Sequence, residues 1–212
     1  MRILVSAFFF LVLFSQACKN KSAPEVKKQV THQNKPVSTD NVNKDSLLTK
    51  LSYHILLAIK IKKYDSLEKF IHPVEGLRLS PYAYIDTLHD IVLSHLKFAE
   101  EAKNKKQDKI LWGLYDGSGE PILMTLNEYM KKFVYDADFL NPEKFEINKF
   151  IGSGNSINNV LSVYKNCDFT ESHFSGFDKK YEGMDWRSLR LVFKKFTDNY
   201  YLVAIIHDQW TI

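Results

Sequence analysis

The stretch SLRLVFKKFTDNYYLVAIIHDQWTI, residues 188–212, holds two runs dense in β-branched and aromatic residues. TDN, residues 197–199, separates them with residue types that favour a turn, so the spacing predicts two antiparallel strands. A two-residue period sorts Tyr201, Val203, Ile205, His207 and Gln209 onto one face and Leu202, Ala204, Ile206, Asp208 and Trp210 onto the other. Each face has an apolar base and a polar tip. On a curved sheet such a tip lines a small pocket; at a plain sheet end, His207 and Asp208 simply find local partners. The preceding MDWRS, residues 184–188, places Asp185, Trp186 and Arg187 where an acid, a stacking surface and a fork donor could join that pocket. The alternative is a capped turn with Arg187 paired to a carboxylate.

Upstream, KILWGLYDGSGEPILM (109–124) reads as a hairpin around a DGSG turn. Thr125 and Glu128 then form a capping-box pattern opening a helix to about Val134. GLRLSPYAYI (76–85) is strand-like up to Pro81, and an amphipathic helix fits between Ser94 and Lys103. Residues 145–151 and CDFTESHF (167–174) read as strands, with SINNVLSVY as a short helix before the latter. Two helices come before any strand. One starts at Asp45 or Ser46 with Leu47, Leu48, Leu51, Ile55, Ala58 and Ile59 on one face; the other runs from a capping Asp65 to before Pro73. This order predicts an α+β domain over 45–212, with N-terminal helices packed on a curved, mainly antiparallel sheet.

That order of elements resembles the cystatin-like and NTF2-like rolls, which implies a sheet wrapped round a helix with a pocket at one end. WGLYDGSGEP, EGMDWRSLRLVF and YYLVAIIHDQWTI are also similar to parts of a family of uncharacterised exported bacterial proteins. That similarity implies a shared domain and no particular chemistry.

At the other end, Arg2 precedes ILVSAFFFLVLF (3–14), an apolar run of about a dozen residues where a membrane span needs about 20. Ser15, Gln16 and Ala17 then lead into Cys18. A small residue before a cysteine at the end of such a run resembles the lipobox of bacterial lipoproteins, in a relaxed form like that of Bacteroidota. The resemblance implies a signal peptide over 1–17 and a Cys18 that receives a diacylglyceryl group and palmitate-type acyl chains. Ordinary secretion, with cleavage after Ala17 and a free thiol, is the alternative. Residues 18–44 carry Pro24, Pro36, many lysines and only isolated valines, the composition of a disordered tether. The expected address is the bacterial envelope, at the outer membrane, with the membrane as a partner through the lipid. With Cys18 committed, Cys167 has no partner in the chain and reads as a small buried residue near a strand.

Composition excludes more than it assigns. The formal charge of +4 is small and the lysines are scattered, so no nucleic-acid partner is expected. DGSGEP has Pro121 where a calcium loop of the EF-hand type needs glycine, and GSGNS (152–156) lacks a P-loop lysine and has Gly154 where G-x-S-x-G needs its nucleophilic serine and Ser156 where it needs its last glycine. The seven histidines show no ligand spacing, and neither metal nor cofactor is expected. Three functions remain. The leading one is a non-enzymatic domain binding a small ligand or a protein near His207 and Trp186. The second is an enzyme with His207 as general base, oriented by an acid such as Asp185. The third is an envelope assembly subunit exposing an edge strand and an apolar patch.

Overall fold

The structure, a computed structural model, describes residues 39–211. The expected signal peptide, Cys18 and most of the expected tether lie outside the described residues.

The first helix, α1 (Thr39–Lys60), starts six residues before Asp45 and takes in the last part of the stretch read as tether. Lys44 accounts for part of this: its Nζ meets Asp168 at 2.8 Å and pins the early turns to the sheet. Leu48, Ile55 and Ile59 are buried along one face, with Ser52 bonded to Thr170 at 2.8 Å. The segment expected as a second α-helix is a tighter 3₁₀ helix, Tyr64–Phe70, without a side-chain cap. β1 (Leu77–Ser80) stops at Pro81, which has no N–H to continue a ladder. After a ten-residue loop come β2 (Ile91–Leu93) and α2 (His95–Lys103), the latter capped by Ser94. β3 (Ile110–Leu114) and β4 (Pro121–Met124) form a separate two-stranded hairpin. The Thr125–Glu128 capping box is complete and opens α3 (Leu126–Tyr129), which runs into a π-turn, Met130–Val134. β5 (Lys144–Ile147), the short α4 (Val160–Val163), β6 (Asp168–Phe174), β7 (Arg187–Phe196) and β8 (Asn199–Gln209) complete the domain.

Six strands make one sheet in the order β2-β1-β8-β7-β6-β5. All neighbours are antiparallel except β1 and β8, which run parallel, so the last strand lies inside the sheet. The expected cystatin-like or NTF2-like roll is corrected here: the domain is α+β, but its sheet is neither curled nor closed and ends in two separate edge strands. The physical reason lies in β7 and β8, whose middle residues are buried on both faces. A cone covers one face of its sheet with a helix; strands apolar on both faces need two covers. On one face Leu189, Leu191, Phe193, Leu202 and Ile205 join the core built with α1, the hairpin and α3. On the other, Val192, Val203, Ala204, Ile206 and Phe169 pack under Phe150, Val160 and Tyr164 from the segment between β5 and β6. A bulge opposite Val192 and Phe193 turns Val203 to the same side as Ala204, breaking the strict alternation read from the sequence.

Candidate functional site

The residues singled out at the end of β8 are placed by the register of the central pair. Leu189 stands opposite His207, Ser188 opposite Asp208 and Arg187 opposite Gln209. His207 is fully buried. Its Nε2 lies 3.1 Å from Asp136, just beyond the π-turn, and the Phe133 ring packs edge-on 6.0 Å from its own. Arg187 donates from Nε to the same Asp136 carboxylate at 2.7 Å. Burial pushes that carboxyl up, but the His207 hydrogen bond and the Arg187 guanidinium outweigh it and hold Asp136 below its usual range. The acid beside His207 is therefore Asp136; Asp185 instead accepts the amides of Phe177 and Asp178 at 3.0 and 2.8 Å.

Asp208 faces the other side, where a buried polar network crosses the sheet. Its carboxylate meets Arg190 Nη2 at 2.8 Å, and Arg190 Nε donates to Glu171 at 2.9 Å. Burial raises the Asp208 carboxyl, with Arg190 opposing that rise. Glu171 also accepts the Gly152 amide at 2.8 Å and the Ser188 hydroxyl at 2.7 Å. Because the Ser188 hydrogen goes to Glu171, His173 Nδ1–H donates to Ser188, at 2.8 Å. Trp186, 8% exposed, seals this network: its ring lies against Gly152 and Gly154. The structure thus joins MDWRS to GSGN, with glycines where any side chain would strike the indole. Gln209 is half-buried, and Trp210, 39% exposed, stands at the surface beyond the strand. Cys167 is a half-buried free thiol just before β6, pushed up by burial.

Open space lies elsewhere. A groove of about 900 Å³ runs between the loop joining β1 to β2 and the β3–β4 hairpin, and none of residues 185–187 or 207–210 lines it. Tyr82, Tyr84 and Leu88 form one wall, and Leu111, Leu114 and Tyr115 the other. Leu88 is 86% exposed and Leu114 59%, so these are apolar side chains facing solvent in a concavity. Asp86, Asp90 and Asp116 add carboxylates, and among the described residues no lysine or arginine lines the groove.

The loop wall is tied down at several points. Arg78 donates to the carbonyls of Asp86 and Asp90 at 3.4 and 3.3 Å, and Asn159 clamps both backbone groups of Ile85 at 2.8 and 3.0 Å. Asp86 folds its own turn by accepting the Leu88 and His89 amides, and it meets the His89 ring at 2.6 Å, which holds its carboxyl below the usual range. Tyr82 links the two walls by accepting the Asp116 amide at 3.2 Å. Asp90 accepts the Ser80 hydroxyl and, at 3.1 Å, the Asp86 amide. Burial raises its carboxyl to about 6 against the pull of Ser80 and Arg78. A groove fixed by side-chain clamps meets a ligand without having to order its own wall first.

PYAYIDTLHD, residues 81–90, carries Tyr82 and Tyr84 followed by Asp86 and Asp90 and was the signal that could have marked this site. What hid it was distance, since its facing wall comes from residues 110–119. Among the described residues no group of three His, Cys, Asp or Glu side chains is placed to hold a metal ion. Compared with protein-family models, with curated proteins and with solved structures, the chain matches none.

Proposed function

We propose that this is a lipid-anchored protein of the bacterial envelope, at the outer membrane, whose α+β domain binds a ligand without transforming it. The anchor half of the reading rests on residues 1–18: a short apolar run, Ala17, then Cys18. The binding half rests on one observation, the clamped groove of about 900 Å³ with exposed leucines and tyrosines on its walls. Small-ligand sites have this size and this mix of apolar walls with a few polar groups. The binding site is accordingly assigned to the groove, and the His207 and Trp186 clusters to holding the sheet and its covers together.

Nile red, a neutral apolar dye, tests this assignment on the chain from Lys19 onward, which carries no lipid. Its fluorescence should rise and shift to the blue with the parent chain. Leu88→Arg combined with Leu114→Arg should abolish that rise with little change in melting temperature, because both side chains are already solvent-exposed. Undiminished fluorescence in the double variant would place the apolar site elsewhere.

A further inference from the structure

We propose that the groove takes a small organic cation, an ammonium group carried on an apolar or aromatic body. The inference rests on the groove being the ligand site and adds the chemistry of what fills it.

Charge complementarity carries the argument. The chain has 29 lysines and arginines against 25 acids, yet among the described residues the groove collects Asp86, Asp90 and Asp116 with no lysine or arginine in its lining. His89, the one basic side chain there, is already bonded to Asp86. Arg78 approaches from behind the loop, where its Nη1 donates to the carbonyls of Asp86 and Asp90 and its Nε to the Tyr164 hydroxyl. Lys132 lies 4.4 Å from the centre of the Tyr115 ring and bonds its hydroxyl at 2.7 Å, without lining the groove. A ligand anion would meet carboxylates here, and a neutral polyol would find too few polar partners along the apolar walls.

Asp90 is the natural seat for the ammonium group. Both of its hydrogen bonds, from Ser80 and from the Asp86 amide, fall on Oδ2, so Oδ1 is the oxygen that a ligand N–H would meet. An incoming cation favours the ionised form of this half-buried carboxyl, which burial disfavours. Behind the same wall, and outside the groove's lining, the Tyr129 hydroxyl is fully buried with no hydrogen-bond partner among the described residues. The tyrosine faces supply cation–π attraction, and the leucines take the apolar body.

Three compounds sharing one indole separate charge from shape: tryptamine (a cation), tryptophol (neutral) and indole-3-propionate (an anion). Titration calorimetry on the full chain in lipid nanodiscs, with empty-disc blanks subtracted, should show tryptamine binding at least tenfold tighter than tryptophol and the propionate weakest. Asp86→Asn with Asp90→Asn should bring tryptamine to the level of tryptophol and leave tryptophol unchanged. Equal affinity for all three compounds, lost in the Leu88→Arg, Leu114→Arg variant, would overturn the cation and keep the groove. Preference for the propionate would also overturn the cation. Binding of none at millimolar concentration would overturn both.

Discussion

Asp90 is held half-buried, with its carboxyl raised to about 6, in a wall that is otherwise well satisfied. Such a group weakens the fold that carries it. Its unfolded-state value is near 3.8, so the native state holds the proton more tightly, and stability falls as pH rises from about 4 to about 6 and stays low above that. Asn at this position can still accept the Ser80 hydroxyl and the Asp86 amide while carrying no charge. Asp90→Asn is therefore expected to be more stable than the parent by about 1–2 kcal/mol at pH 8, after allowance for the partial exposure of the group, and equal to it near pH 4. Urea unfolding at the two pH values measures this. A variant less stable at pH 8 would mean that hydrogen bonds to the carboxylate outweigh its desolvation. A charge buried at a stability cost in the groove wall accords with the ligand-binding role proposed for Asp90.

At the scale of elements, legibility followed how local each signal was. The DGSG hairpin and the Thr125–Glu128 box are decided within a few residues, and both are in place. β2 has three residues and no alternation long enough to read, and it exists because β1 offers it a partner. The parallel pairing of β1 with β8 joins residues more than 120 positions apart, beyond any local pattern. The GSGN segment reads from sequence as a loop and no more, because its constraint is tertiary. A Cβ on Gly152 would stand 2.4 Å from Ser188 Oγ, 2.8 Å from the Trp186 ring and 3.1 Å from Glu171 Oε1. Since the Gly152 amide also donates to Glu171 and its carbonyl accepts from Arg190 Nη2, the residue cannot retreat without unpairing the buried network. Gly152→Ala should therefore destabilise by at least about 2–3 kcal/mol in urea unfolding, as overpacking and lost hydrogen bonds combine. A loss below about 0.5 kcal/mol would show that the loop can shift freely and that the network does not depend on its position.

At the scale of the whole molecule, the open sheet is covered on both faces, and one cover, the segment between β5 and β6, also clamps the groove through Asn159 and Tyr164. Binding and core packing thus share one framework, while attachment to the envelope is assigned to a separate residue, Cys18. One acyl chain gives only marginal membrane binding, whereas the two chains of a diacylglyceryl group give a stable anchor. The apolar run over 3–14 is too short to replace it as a span. Cys18→Ala should therefore move the protein from the membrane pellet to the soluble fraction and abolish labelling by alkyne-palmitate. The anchor reading gives Cys18 no part in the core, so the melting temperature should stay within about 1 °C of the parent's. Unchanged pelleting with unchanged label would show that the lipid sits elsewhere and would overturn the anchor. Loss of label together with loss of the folded domain would show instead that the N-terminal segment is part of what holds the sheet and its covers together.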